Sequence, residues 1–228
     1  MKVPLPLRYL FRLSIVVLPW PLKRPLLQTF FGYRLDPSAH IGLAWIFPTR
    51  LVMLRGSRID SLTIAINLDA LHLGSHASIG RGNWITGFPT GTPSPHFSHQ
   101  TDRRAELHLG DHSAITKNHH IDCTDKVTIG EFTTVAGYRS QFLTHSLDLK
   151  HNCQHSSPIT IGPYCFVGSN CIVLGGSVLP GYCVLGALSL LNKQHSESWS
   201  LYAGQPARRL QSISPDSLYF HRSEGYVV

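Results

Sequence analysis

The stretch ITIGPYCFVGSNCIVLGGSVLPGYCVLGALSLL, residues 159–191, repeats in steps of six. Every sixth residue is aliphatic: Ile161, Val167, Val173, Leu179, Leu185 and Leu191. The residue four places after each of the first five is small: Cys165, Cys171, Ser177, Cys183 and Ser189. This period predicts short strands that each form one side of a three-sided coil, with the aliphatic side chain inside and the small residue near the corner.

The same step recurs towards the N-terminus. Two earlier runs keep it: Leu73, Ile79 and Ile85, and then Leu109, Ile115 and Ile121. The spacing widens to eight between Ile121 and Ile129, after which the step resumes at Val135. Ordinary β-sandwiches turn every 8–12 residues and do not hold a six-residue frame. The sequence therefore predicts an all-β fold, a parallel β-helix over residues 36–210.

Four segments depart from this repeat. Residues 1–35 are apolar and basic, and prolines interrupt them, which predicts short helices packed on the coil. Their longest uncharged run, 13–22, is shorter than the roughly 20 residues that span a bilayer, so peripheral contact with a membrane surface is the alternative interpretation. Segments 88–106 and 145–158 are rich in polar residues and predict loops that leave the coil. Residues 211–228 predict a C-terminal tail.

The charge composition favours some classes of partner over others. Lys and Arg outnumber Asp and Glu by 20 to 13, a formal net charge of +7, which favours phosphates, acidic glycans or lipid head groups. Because the chain lacks zinc-finger spacing, a basic helix and an aromatic RNA-binding signature, we do not expect nucleic acid as a partner. An odd number of five cysteines without a CxxC pair predicts free thiols in a reducing compartment such as the cytoplasm.

Two further stretches carry a family resemblance. KVTIGEFTTVAGYRSQFLTHSLDL (126–149) and YAGQPARRL (202–210), together with the six-residue repeats, resemble hexapeptide-repeat acyltransferases, in particular galactoside, maltose and polysaccharide O-acetyltransferases. The resemblance covers about 107–210, and more weakly the chain from 36. It implies a left-handed parallel β-helix and a homotrimer with active sites between neighbouring subunits. It also implies acetyl-CoA as the acyl donor, without a metal.

The resemblance makes His145, in the motif LTHS, the general base that takes the proton of an acceptor hydroxyl. Imidazole suits this task because its pKa, near 6.5, lies close to working pH. Asp148, three residues later, is a candidate to orient this base. Six residues are candidates for acceptor binding: His119, His120, Asp122, Asp125, Arg139 and Asp148. Asp122 and Asp125 are candidates either to bind a sugar hydroxyl, to orient a histidine or simply to form the turn.

For the donor, the family lays the pantetheine arm in a groove between coils. The matching small residues are Gly176, Ala187, Ser189 and Ala203, which the coil also requires for its own packing. Lys193, Arg208 and Arg209 are candidates to bind the nucleotide phosphates.

The resulting prediction is an acetyl-CoA-dependent O-acetyltransferase for a sugar hydroxyl of a surface polysaccharide or its lipid-linked precursor. N-acetylation of an amino sugar and a non-catalytic β-helix scaffold remain alternatives. A zinc site of the γ-class carbonic anhydrase type, built from His119, His120, His145 and His151, is disfavoured because the H-x4-H ligand pair is missing there.

Overall fold

The computed structural model of the protein describes residues 5–227. Two helices come first, α1 (Leu5–Val17) and α2 (Trp20–Phe31). α2 has Pro19 at its N-cap, and it ends at Gly32, whose φ of 66° is left-handed and is available to glycine without steric cost. Ile15 and Leu27 bury their side chains against the first coil. Within residues 5–227, no helix is both long enough and apolar enough to cross a membrane.

The following residues wind into a three-sided coil, and each side is a sheet of mainly parallel strands, here called a face. Face 1 contains Arg34–Leu35, Arg50–Met53, Ala70–Leu73, Glu106–Leu109, Val127–Ile129, Ile159–Ile161 and Val178–Leu179. Face 2 contains His40–Ile41, Arg58–Ile59, Ser78–Ile79, Ala114–Ile115, Thr134–Val135, Phe166–Val167, Val184–Leu185, Ser200–Ala203 and Arg208–Ser212. Face 3 contains Trp45–Phe47, Ile64–Ile66, Trp84–Thr86, His120–Asp122, Gln141–Leu143, Ile172–Leu174 and Leu190–Leu191.

The six-residue period determines which side chains point into the core. Ile161 and Leu179 point inward from face 1, Val167 and Leu185 from face 2, and Val173 and Leu191 from face 3, all with 0% exposure. The register pairs each of these residues with its equivalent in the next coil. The prediction of a parallel β-helix is therefore confirmed. The last strand of face 2, Arg208–Ser212, departs from the pattern and runs antiparallel to its neighbour Ser200–Ala203.

The small residues lie at corners. The thiols of Cys165 and Cys171 are buried and donate to the carbonyl oxygens of Pro180 and Gly186 in the next coil, at 3.0 and 3.2 Å. Burial raises the pKa of the Cys165 thiol to about 12, so it stays protonated and unreactive. All five cysteines are free.

A stack of rings follows the corner between face 1 and face 2. Its members take left-handed backbone and stack with centroids 4.3–5.2 Å apart: His76, His112, Phe132, Tyr164, Tyr182 and Trp199. The C-terminal segment, with a 3-10 helix at Leu218–His221, lies beside this stack. The Tyr219 hydroxyl donates to the Cys165 carbonyl at 3.0 Å, and the guanidinium of Arg222 lies 4.0 Å from the Tyr219 ring.

Two excursions leave the coil at the corner between face 3 and face 1. The first is a loop, residues 87–105, and the second is an antiparallel hairpin of His145–Asp148 and Cys153–Ser156, rather than the unstructured loop expected from its sequence. The corner between them in the coil, 123–126, carries the two extra residues of the eight-residue step. The two excursions therefore flank this wider corner from adjacent coils.

Candidate active site

A histidine and an aspartate meet where the hairpin leaves the coil. Nδ1 of His145 lies 2.8 Å from Oδ2 of Asp122. The contact follows from the parallel register, since Leu143 pairs with Asp122 and His145 comes two residues later. The Asp122 side chain is buried, whereas that of His145 is half-exposed. Nε2 of His145 is therefore the nitrogen left to face a ligand.

The Asp122 carboxylate is held by the backbone and side chains around it. Oδ1 accepts from the amide and hydroxyl of Thr124, and Oδ2 accepts from the amide and hydroxyl of Thr144. Burial by itself would raise the pKa of Asp122, but hydrogen bonds from His145, Thr124 and Thr144 lower it to about 2. The hydrogen bond to Asp122 raises the pKa of His145 against the opposing effect of burial. Asp122 thus fixes the ring and stabilises its protonated form.

A cavity of about 290 Å³, here called the loop cavity, opens on one side of His145. The loop, the coil and the hairpin all contribute to its lining: Thr86, Gly87, Phe88, His96, Phe97, Asp122, Thr124, His145 and Gln154. The Phe97 ring meets the His145 ring edge to face at 6.2 Å. The cavity therefore combines two aromatic side chains with several hydrogen-bonding groups, the composition typical of small-molecule sites.

Arg103 holds the loop over this cavity. Its buried guanidinium donates to the carbonyl oxygens of Phe88 and Thr124, the latter at 2.6 Å, and lies 4.8 Å from the Phe97 ring centroid. Gln100 connects the loop to the hairpin, because its amide donates to the Ser156 carbonyl and accepts from the Ser156 amide at 2.9 and 2.8 Å. Both excursions are thus fixed relative to His145.

A second cavity of about 280 Å³, here called the coil cavity, opens on the other side of His145. It is lined by Leu143, Thr144, His145, Ser146, His155, Ser157, Leu174, Gly175 and Asn192. Gly175 lets the backbone come close, since a Cβ there would lie 2.6 Å from the Thr144 carbonyl oxygen. His145 therefore lines two cavities, an arrangement that would let one imidazole face two ligands.

Two candidates for acceptor binding are buried structural groups instead. His119 is 1% exposed, its Nδ1 accepts from the Ser140 amide at 3.1 Å, and its Nε2 lies 3.0 Å from the Thr116 hydroxyl. Asp125 is also buried, with its carboxylate bonded to the Lys126 amide and the Ser156 hydroxyl at the base of the hairpin. Neither side chain is available to a ligand.

Three other candidates lie apart from His145. His120 and Arg139 line a separate cleft of about 450 Å³ at the opposite edge of face 3, together with Trp84 and Gln141. Asp148 does not orient His145, because its carboxylate bonds Nδ1 of His151 at 2.8 Å near the hairpin tip. The carboxylate that contacts His145 is that of Asp122, another of the predicted residues.

The donor candidates fall in different places. Gly176 and Lys193 follow directly on Gly175 and Asn192 of the coil cavity. Ala187 lies exposed at the corner between face 2 and face 3. Ser189 at that corner is buried and donates to the Gly186 carbonyl, so its role is structural.

The remaining donor candidates lie at the end of face 2. Ala203 ends Ser200–Ala203, and exposed Arg208 begins the antiparallel strand. Arg209 pairs with Glu197 at 3.1 Å.

The sequence analysis did not single out Phe88, Phe97, Arg103, Gln154 and Thr144. The available signal was aromatic and charged residues inside an excursion that otherwise reads as polar loop. Phe88, Phe97 and Arg103 reach the region of His145 through contacts across more than forty residues, which no local pattern shows. Within residues 5–227, no group of three or more His, Cys, Asp and Glu side chains could hold a metal ion.

No protein-family model and no curated protein sequence matches the chain. Solved structures do. A hexapeptide-repeat acetyltransferase of Vibrio cholerae, in complex with acetyl coenzyme A, aligns with a TM-score of 0.50 and 24% identity over 63% of this chain and 71% of that one.

A second solved structure is similar over more of the chain. A mutant of the N-acyltransferase AntD of Bacillus cereus, bound to dTDP-4-amino-4,6-dideoxyglucose and coenzyme A, aligns with a TM-score of 0.54 and 12% identity over 87% of this chain and 92% of that one. At sequence identities of 24% and 12%, the similarity to these two structures shows a shared fold. The chain has the left-handed parallel β-helix fold found in hexapeptide-repeat acetyltransferases.

Proposed function

We propose that the protein is an acetyl-CoA-dependent O-acetyltransferase that acts on a sugar hydroxyl. The observation that carries this proposal is the His145–Asp122 pair, which leaves Nε2 of His145 free between two cavities. The acetyl-CoA complex of the similar Vibrio cholerae structure supports the choice of donor. We assign the acceptor to a surface polysaccharide or its lipid-linked precursor, because the apolar, basic N-terminal segment suits an acceptor held at a membrane.

The chemistry needs one base and no covalent enzyme intermediate. Nε2 of His145 takes the proton of the acceptor hydroxyl while the hydroxyl oxygen forms a bond to the thioester carbonyl carbon. The carbon–sulfur bond then breaks, coenzyme A leaves as the thiolate, and the proton on His145 passes to that sulfur. Asp122 stabilises the protonated imidazole during this step. The loop cavity receives the acceptor and the coil cavity receives the thioester.

The lining of the loop cavity supports a sugar acceptor. Phe88 and Phe97 offer apolar ring faces, while Thr86 and Gln154 offer hydrogen-bonding groups. Among the lining residues, the only carboxylate belongs to Asp122, which is already bonded to His145 and two threonines. A protonated amine would find no free carboxylate in this lining, and this favours a hydroxyl.

N-acetylation of an amino sugar is the second candidate. It is favoured by the similarity to AntD, an N-acyltransferase whose structure holds an amino sugar nucleotide. Acceptors that differ only in hydroxyl against amine separate the two reactions.

We further propose a homotrimer. Face 3 and its corner with face 2 expose large apolar side chains: Leu43, Leu62, Trp84, Ile172 and Leu188. This face also carries Leu143 and Leu174 of the coil cavity, so a neighbouring subunit placed there would wall the donor site. Lys193 and Arg208, both exposed, remain candidates for the nucleotide phosphates.

The test measures coenzyme A release from acetyl-CoA with methyl glycosides and with glucosamine as probe acceptors. We expect turnover with a glycoside hydroxyl, and His145→Ala should lower it by about 10²–10⁴-fold, the usual contribution of a general base. The matched control is His151→Ala, a histidine of the same hairpin that pairs with Asp148. It should keep wild-type turnover.

Three results would contradict the assignment. Unchanged turnover in His145→Ala refutes the base, and exclusive turnover of glucosamine replaces O- by N-acetylation. Absence of both turnover and a thermal shift with acetyl-CoA would favour a non-catalytic scaffold.

A further inference from the structure

The two N-terminal helices present an unusually apolar outer surface. Eight large apolar side chains on α1 and α2 are 40–62% exposed: Leu7, Tyr9, Leu10, Phe11, Leu13, Val17, Leu22 and Phe30. The opposite side of the pair is already used, because Ile15 and Leu27 are buried in the core. Large apolar side chains exposed in this number on one pair of helices mark an interaction site. It is here called the helical end surface.

The charge of the protein is concentrated at the same end. Residues 1–60 have a net charge of +7, because their acidic residues are only Asp36 and Asp60 whereas nine residues are basic. The basic residues are Lys2, Arg8, Arg12, Lys23, Arg24, Arg34, Arg50, Arg55 and Arg58. The other 168 residues hold eleven basic and eleven acidic side chains and are neutral overall. The formal net charge of the molecule thus comes from residues 1–60, of which the structure describes 5–60 as the helices and the first two coils.

Contacts fix the helices to the first coil. Lys23 donates to the Gly42 carbonyl at 2.8 Å, Arg24 donates to the Leu35 carbonyl at 3.3 Å, and the Arg12 guanidinium lies 4.9 Å from the Phe47 ring. Arg34, Arg55 and Arg58 stay exposed on these first coils. The N-terminal end of the molecule therefore combines apolar side chains exposed on the helices with cations exposed on the first two coils.

We propose that the helical end surface docks on an anionic lipid bilayer. Apolar side chains enter the boundary between head groups and acyl chains, and surrounding arginines meet the lipid phosphates. A protein partner could cover the apolar residues, but the excess of basic residues in the described helices and first two coils, eight against two acidic residues in 5–60, matches a negatively charged sheet of lipid. The docking surface does not include His145 or either of its cavities, so it goes beyond the transfer reaction.

The test is flotation of the full-length protein with phosphatidylcholine vesicles, with and without about 30% phosphatidylglycerol. We expect binding to the anionic vesicles, weak binding to the neutral ones, and loss of most binding at about 0.5 M salt. Leu10→Glu/Leu22→Glu should lower binding by about tenfold or more. The matched control, Leu210→Glu/Leu218→Glu, changes two exposed leucines outside the helices and should bind as the wild type does.

Three outcomes would overturn the proposal. Equal binding by Leu10→Glu/Leu22→Glu and the wild type, or no binding of the wild type to anionic vesicles, overturns the proposal. A change of native mass in Leu10→Glu/Leu22→Glu assigns the surface to a second copy of the chain and also overturns it. Coenzyme A release with a water-soluble glycoside, measured on the same variants, should stay at the wild-type rate, which separates a docking failure from a failure of the transferase assignment.

Discussion

At the scale of single residues, the site depends on one carboxylate that accepts hydrogen bonds from three neighbours. Asp122 lies in the coil and His145 lies 23 residues later in the hairpin, yet their side chains meet at 2.8 Å. Thr124 and Thr144 bind the same carboxylate and keep it ionised. The carboxylate is therefore held in one orientation by its hydrogen bonds, and it holds the imidazole in a fixed position before any reaction begins.

Asp122→Asn should change both the rate and its pH dependence. Without the carboxylate the pKa of His145 falls, so the rise of kcat/KM with pH should move to lower pH, since the base acts when it is unprotonated. We expect the maximal rate to fall by roughly 10²-fold because the ring loses its orientation. A pH profile of kcat/KM measures both effects.

Asp148→Asn is the matched control, since Asp148 pairs with His151 and should leave the profile in place. An Asp122→Asn profile with an unmoved acidic limb would show that Asp122 does not set the basicity of His145.

His119 should make the fold sensitive to acid. Burial lowers its pKa to about 4, below the ordinary value of 6.5, so its contribution to stability is complete above pH 6.5 and is lost as the pH falls towards 4. Between pH 7.5 and pH 5, the free energy of unfolding of the wild type should fall by about 2 kcal/mol more than that of His119→Gln.

Urea unfolding at the two pH values measures this difference. His120→Gln, at the exposed neighbouring position, should follow the wild type. Parallel behaviour of His119→Gln and the wild type would mean that His119 takes up its proton without cost to the fold.

The sequence could mark His145 and Asp122, but it could not connect them. Asp148 looked suitable to orient the base because it is near in sequence, whereas the register brings Asp122 beside Leu143 from the coil before. His119 carries the same ambiguity, since it looks like its exposed neighbour until the fold buries it. Burial and register, which depend on the assembled coils, separate these roles.

At the scale of elements, the candidate active site is formed by two excursions on either side of the wider corner. The loop and the hairpin join through Gln100 and Ser156, which lie 56 residues apart in sequence. The coil supplies Asp122, its immediate neighbours and the Leu143, Leu174 and Gly175 side of the coil cavity. The rigid part of the molecule thus fixes the carboxylate, while the excursions shape the opening around it.

Arg103→Leu should loosen the loop without disturbing the donor side. The change leaves the carbonyl oxygens of Phe88 and Thr124 without their donor and removes the contact with Phe97. We expect the KM for a glycoside acceptor to rise by about tenfold, as the loss of a buried charged hydrogen bond would give. The affinity for acetyl-CoA should not change.

Steady-state kinetics with each substrate varied in turn measure the two effects. Arg104→Leu, an exposed neighbour, should behave as the wild type. An equal loss for both substrates in Arg103→Leu would indicate a general loss of folding instead of loop opening.

The elements differ in how far the sequence reveals them. The coil was predictable because its period is local and each step repeats the same inward and small positions. The sequence does not reveal the hairpin, because its antiparallel strands are only four residues long, too short for a clear alternation of polar and apolar residues. The contact between loop and hairpin leaves no periodic trace at all.

At the scale of the whole molecule, the apolar residues of face 3 predict self-association. A trimer of 25.3 kDa chains should have a native mass of about 76 kDa. Ile172→Lys places a charge in the exposed apolar surface of face 3 and should shift the protein towards the single chain. Native mass spectrometry measures both species.

Leu210→Lys, at an exposed position on the antiparallel strand, is the control and should remain a trimer. A wild-type mass equal to one chain would contradict the trimer and leave the coil cavity, the proposed donor site, open on face 3.

The antiparallel strand Arg208–Ser212 also prevents a second chain from extending the coil at its C-terminal end. A parallel coil is a template that another coil of the same kind can continue, which would lead from single particles to open-ended fibres. At the C-terminal end of face 2, the last strand runs the opposite way, so an arriving chain meets a backbone pattern that a parallel coil does not match. At the other end, α1 and α2 occupy the equivalent position. Reversal at one end and helices at the other thus give a repeating architecture a finite length.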